Sequence, residues 1–194
     1  MPRRSSRAIT CVAAFLLSAA CGAPPNKEMD QAQGAIDAAR AAGADRYATT
    51  EYAAATDALK NANEAVAVGD YRLALNYALE SREQAQNAAR GAADTKARVR
   101  GEVERGITEI TALIAQARVR LAAAERARVA RRLLQQPRAE LAAAEAALQK
   151  TGEAVGAEDY LSARETLAGV KERVDAALMA INETMAPRPA ARRR

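Results

Sequence analysis

The chain has no histidine and no tryptophan, and among its 194 residues there are one phenylalanine and two cysteines. Without an imidazole it lacks the usual general base and the commonest metal ligand near neutral pH. Zinc sites assembled from His and Cys clusters are excluded as well. Cys11 lies inside a short apolar run and Cys21 follows shortly after it, so the body beyond residue 21 carries no disulfide. Its serines are Ser81 and Ser162, both in helical patterns with no base nearby in sequence, and no glycine-rich phosphate loop is present. Carboxylate pairs such as Glu102 and Glu104 read as solvated charge on a helix surface. These absences predict a protein that is not an enzyme, with no catalytic residue, no metal and no cofactor. At 3% aromatic residues it also lacks the stacking rings that accompany nucleic-acid binding, so no nucleic acid and no small-molecule substrate are expected.

What is abundant is alanine, with 53 residues. Alanine is the best helix former, while the β-branched and aromatic residues of strands are scarce. The methyl side chain buries little area at roughly 25 cal/mol per Å², so a thick core is not expected and helices should approach closely. The fold class predicted is all-α, built from elongated antiparallel helical hairpins in a coiled-coil-like bundle. The net charge of +5 misleads, because Arg3, Arg4, Arg7, Arg188, Arg192, Arg193 and Arg194 stand at the two ends. Without those seven the body is slightly acidic.

The first twenty residues have three zones: basic Met1 to Arg7, apolar Ala8 to Leu17, and small Ser18 to Ala20. That order is the pattern of an export signal. The apolar run is too short for the ~20 residues that span a bilayer, and Pro24 and Pro25 follow closely. Leu17-Ser18-Ala19-Ala20-Cys21 resembles the lipobox of bacterial lipoproteins, with Ser18 at the position where the family usually has Leu. The resemblance implies acylation of Cys21, anchoring through acyl chains, and, with Gly22 rather than Asp after the cysteine, an outer-membrane location facing the periplasm.

An internal likeness lies further on. Thr50 to Ala74 aligns without a gap to Ala139 to Ala163 at an offset of 89 residues, the separation of Asp70 from Asp159. Glu64-Ala65-Val66 recurs as Glu153-Ala154-Val155, and Asp70-Tyr71 as Asp159-Tyr160. Each copy reads as a helix, a short turn marked by those Asp-Tyr pairs, and a longer helix. The seam of the second long helix is Tyr160, Ala163, Leu167, Val170, Val174, Ala177 and Ile181; its counterpart is Tyr71, Ala74, Ala78, Ser81, Ala85, Ala88 and Ala92. In the preceding helices the apolar spacing is Tyr52, Ala55, Leu59, Ala62, Val66 and Leu141, Ala144, Leu148, Thr151, Val155. Alternating steps of three and four indicate long helices packed side by side at a shallow angle. Asp70 and Asp159 are placed to cap the helices that follow them, and Pro137 suits the first turn of a helix. One continuous helix from about Asp70 to about Leu133 is expected between the two hairpins, a break near Gly91 being the alternative.

Ala39 to Ala89, with an alanine-rich helix, a Gly69-Asp70-Tyr71 turn and a second alanine-rich helix, resembles the bacterial lipoprotein domain of unknown function DUF4398. The resemblance implies a periplasm-facing helical lipoprotein and brings no activity with it. The domain layout expected is residues 1–20 lipoprotein signal peptide, 21–30 tether, 31–99 first helical repeat, 100–185 second helical repeat and 186–194 basic tail.

Two basic segments are candidate contacts for envelope polyanions: Arg118, Arg120, Arg126, Arg128, Arg131 and Arg132, and the tail residues Arg192, Arg193 and Arg194. Residues 140–159 are rich in acid, so pairing between adjacent helices is the competing expectation for the first segment. The function expected is a non-enzymatic outer-membrane lipoprotein, membrane-held through Cys21, whose helical body is a scaffold or spacer for an envelope protein or cell-wall polymer. The alternatives are a tetratricopeptide-like peptide adaptor, suggested by Gly69-Asp70-Tyr71 with Ala74, and a binder of envelope polyanions.

Overall fold

The computed structural model describes residues 23–186. The fold is an all-α bundle, and among the described residues there is no strand. Its helices are α1 (Asn26–Ala41), α2 (Ala44–Tyr47), α3 (Thr49–Ala67), α4 (Tyr71–Arg126), α5 (Arg131–Gly156) and α6 (Tyr160–Met185). Two compact units divide the chain between Ala93 and Asp94, so α4 contributes its first part to one and its second part to the other.

The first unit comprises α1, α2, α3 and the start of α4. Its buried cluster consists of Ile36 and the alanines at 39, 44, 48, 55, 85, 88 and 92. Ala32, Ala58, Ala62, Ala65, Ala74 and Ala78 are buried too. With methyl groups facing methyl groups, backbones must come close for contact to be made. Ser81 reports that proximity, since its buried hydroxyl on α4 donates to the backbone carbonyl of Ala55 on α3 at 2.8 Å. Arg82 of α4 donates to Gln31 of α1, and Arg40 of α1 donates to the Tyr52 hydroxyl of α3 at 2.7 Å. On α3 the inward face is Ala55, Ala58, Ala62 and Ala65. The expected seam members Tyr52, Leu59 and Val66 are half-buried at its margin. Tight packing selects the small residue and leaves the larger one at the edge.

The second unit comprises the rest of α4 with α5 and α6, and its core carries more volume. Val99, Val103, Ile110 and Ile114 of α4 meet Leu134 and Leu141 of α5 and Leu167, Val170, Val174 and Ile181 of α6. The buried face of α6 is Tyr160, Ala163, Leu167, Val170, Val174, Ala177 and Ile181, the seam expected from the spacing. Ion pairs lace the rim, Lys171 to Glu109 at 2.8 Å and Arg173 to Glu140 at 3.2 Å.

The ends of three helices are made alike. Gly69, Arg128 and Glu158 adopt left-handed φ values of 78°, 57° and 58°. At each, the amide of that residue bonds to the carbonyl three back, and the next amide to the carbonyl five before it, as in Asp70 to Ala65, Val129 to Ala124 and Asp159 to Ala154. This is the Schellman ending, in which a left-handed residue lets the last carbonyls find donors. Asp70 then accepts from the Leu73 amide at 2.9 Å, and Asp159 from that of Ser162 at 3.3 Å, capping α4 and α6.

Three boundaries differ from the sequence expectation. The long helix stops at Arg126, well before Leu133, because Arg128 takes a left-handed conformation that usually falls to glycine. Pro137 lies inside α5 rather than in its first turn, and it is fully buried; Arg131 to Gln136 form helix ahead of it, at the loss of the hydrogen bond its nitrogen cannot donate. Helix α1 already begins at Asn26, so Asn26 to Asp30 of the expected tether are helical.

Candidate functional site

The arginine-rich segment is positioned by the turn between α4 and α5. Val129 packs partly buried against the core and Leu134 is 1% exposed, which pins the turn from inside. The residues between and beside them therefore face outward: Arg126 ends α4, Arg128 occupies the left-handed position, and Arg131 and Arg132 open α5, all exposed. Arg120 is exposed further back on α4. Among the described residues no carboxylate lies within ion-pair distance of these five. The first turn of α5 contains no acid and its N-cap, Ala130, offers no side-chain acceptor. Two guanidinium groups thus sit at the positive end of a helix dipole, where cations are disfavoured.

Arg118 is different. Its Nε donates to Glu145 at 2.7 Å, and that hydrogen bond, with the attraction of the carboxylate, raises its pKa above the ordinary arginine value. Arg138 likewise pairs with Glu125. Arg118 to Glu145 is a pair of the kind expected between basic and acidic segments, but other acids of residues 140–159 look elsewhere: Glu140 to Arg173, and Glu158 to Lys96.

Beside the turn lies a cleft of about 490 Å³, walled by Val129, Ala130, Arg132 and Leu133 on one side and by Glu183, Thr184 and Ala186 at the end of α6 on the other. Leu133 is 41% and Met185 40% exposed, so apolar surface accompanies the charge. These apolar neighbours were not identified from the sequence. Leu133 follows two arginines in a helical run, and its exposure is decided by where α4 ends.

The two Asp-Tyr turns serve the fold. Tyr160 is 6% exposed, with the Lys96 ammonium 5.9 Å from its ring centroid. Tyr71 is half-buried. The Glu158 carboxylate accepts from Lys96 at 2.7 Å, and that hydrogen bond, with the lysine charge, holds it below the ordinary glutamate range. In the first unit a second open groove, about 520 Å³, runs between Gln33, Ile36 and Arg40 of α1 and residues of α3 that include Leu59, Lys60 and Asn63. Among the described residues no group of three or more acids or cysteines stands together as a metal site, and no helix is long and apolar enough to cross a membrane. Cys21, Arg192, Arg193 and Arg194 lie outside the described residues.

The fold and these surfaces define an all-α protein of two helical units with one basic turn whose arginines have no carboxylate partner among the described residues. Residues 27–103 match the family model of a domain of unknown function, DUF4398, a stretch that lies in the first unit and the beginning of the second. No curated protein and no solved structure matches the chain.

Proposed function

We propose that the protein is a non-enzymatic lipoprotein of the outer membrane, held through acyl chains on Cys21, whose helical body faces the periplasm as a scaffold or spacer. The observation that carries this reading is the order of residues 1–21: basic start, short apolar run, small residues, cysteine. Two further facts support it. Helix α1 begins at Asn26, so little chain separates Cys21 from the packed body, and residues 27–103 carry a DUF4398 domain. Multiple acyl chains hold a protein stably at a lipid surface without a spanning helix.

The test is expression in a diderm bacterium fed an alkyne-bearing palmitate analogue, comparing the parent with Cys21→Ala. Label on the parent, no label on the variant, and fractionation of the parent with outer membranes are the expected results. An unlabelled parent, or label that survives Cys21→Ala, overturns the reading. Crosslinking in intact cells then tests the scaffold role, through recovery of an envelope partner that is lost when the body is deleted.

A further inference from the structure

We propose that the end of the second unit formed by the α4–α5 turn and the last turn of α6 docks onto the phosphate headgroups of an anionic lipid surface. Arg126, Arg128, Arg131 and Arg132 crowd within seven residues, all exposed and without ion-pair partners among the described residues. Elsewhere on the same unit, exposed cations such as Lys171, Arg164 and Arg173 are met by carboxylates. Four neighbouring guanidinium groups repel one another, and a phosphate-bearing partner relieves that repulsion while accepting two parallel hydrogen bonds from each fork.

The charge complementarity alone fits any polyphosphate. The apolar residues choose the lipid. Leu133 stands beside Arg132 at 41% exposure, Met185 is 40% exposed, and the adjoining cleft offers Val129, Ala130 and Ala186. Such a surface gains by sinking its apolar groups to the acyl boundary while the arginines stay with the headgroups. Glu183 lies on the far wall of the cleft and Glu125 is tied to Arg138, and these two acids leave the balance of the four arginines positive. Docking by this surface does not require acylation of Cys21, so unacylated protein suffices to test it.

The experiment uses unacylated chain from Gly22 to Arg194, which keeps every described helix, and measures co-sedimentation with vesicles of phosphatidylcholine with and without phosphatidylglycerol. The parent is expected to bind the phosphatidylglycerol vesicles at about 0.15 M salt and to release them near 1 M. Each basic residue at such a surface contributes roughly a fivefold factor, so the variant Arg126→Gln/Arg128→Gln/Arg131→Gln/Arg132→Gln should bind about six hundredfold less. A control removing the same charge elsewhere, Arg72→Gln/Arg90→Gln/Arg98→Gln/Arg105→Gln, should stay within about tenfold of the parent. Equal losses in the two variants, or a parent that ignores the phosphatidylglycerol vesicles, overturns the proposal. Leu133→Gln separates lipid from soluble polyanion: it should weaken vesicle binding several-fold and leave binding of inorganic polyphosphate unchanged. Vesicle binding unaffected by Leu133→Gln overturns the lipid assignment.

Discussion

Positions 85 and 174 are equivalent under the 89-residue offset, and both are fully buried, yet one holds alanine and the other valine. Exchanging them tests whether the two units really differ in helix spacing. Val174→Ala removes two methyl groups from a seam shared with Val170, Ala177 and Ile181. At about 0.8 kcal/mol per buried carbon the transfer loss is about 1.6 kcal/mol. The cavity left behind brings the cost to about 2–3 kcal/mol. Ala85→Val introduces the residue that its counterpart already tolerates, but into a face where Ala55, Ala88 and Ala92 leave no room. Overpacking of that kind costs about 1–3 kcal/mol, and valine adds a few tenths through its lower helix propensity. Both exchanges should therefore destabilise. Hydrogen exchange read by mass spectrometry resolves the two units separately: Val174→Ala should speed exchange in α5 and α6, and Ala85→Val in α3 and the first part of α4. In the parent, α6 should be better protected than the start of α4, because its core carries more apolar volume. A neutral or stabilising Ala85→Val would refute the close approach inferred from the alanine face. Equal protection of the two stretches would refute the ranking of their cores.

Two further predictions concern the helix ends. Gly69→Ala, at a φ of 78°, should lower stability by about 1 kcal/mol, whereas Arg128→Gly should raise it by about as much, since Arg128 pays for its left-handed conformation with no ion pair among the described residues in return; denaturant midpoints decide both. Lys96→Met should let the Glu158 carboxyl return upward to the ordinary glutamate value, followed by carbon-detected NMR. The folded-state pKa of Glu158 is depressed, so its contribution to stability is present above the ordinary carboxyl value and fades as pH falls through the depressed one. Removing Lys96 should shrink that acid-side loss, leaving the smaller part due to Arg100.

How far the sequence alone reaches can be judged residue by residue. The face of α6 was legible because its apolar residues differ in size from their neighbours and recur in steps of three and four. On α3 the same rule selected Tyr52, Ala55, Leu59, Ala62 and Val66; Ala55 and Ala62 are buried as expected, but Ala58 and Ala65 take the inner places next to Leu59 and Val66, which with Tyr52 are half-buried. When every candidate is alanine, periodicity cannot tell the inner face from the outer, and closeness of packing decides. The end of α4 was hidden for a related reason, since its left-handed residue is arginine and no glycine or proline marks it. The separation of Arg118 from the other basic residues depends on Glu145 arriving from α5, a meeting fixed by the turn and invisible in linear order.

An interface made almost wholly of one small residue has an unusual property. Sliding α4 along α3 by a helical turn would offer the same methyl knobs to the same holes, so apolar contact alone leaves the alignment nearly degenerate. The Ser81 hydroxyl, seated on the Ala55 carbonyl, favours the observed alignment, because a slip breaks that bond and the buried donor must find another carbonyl. It acts as a locating peg, setting the register of two helices that would otherwise fit together in several ways.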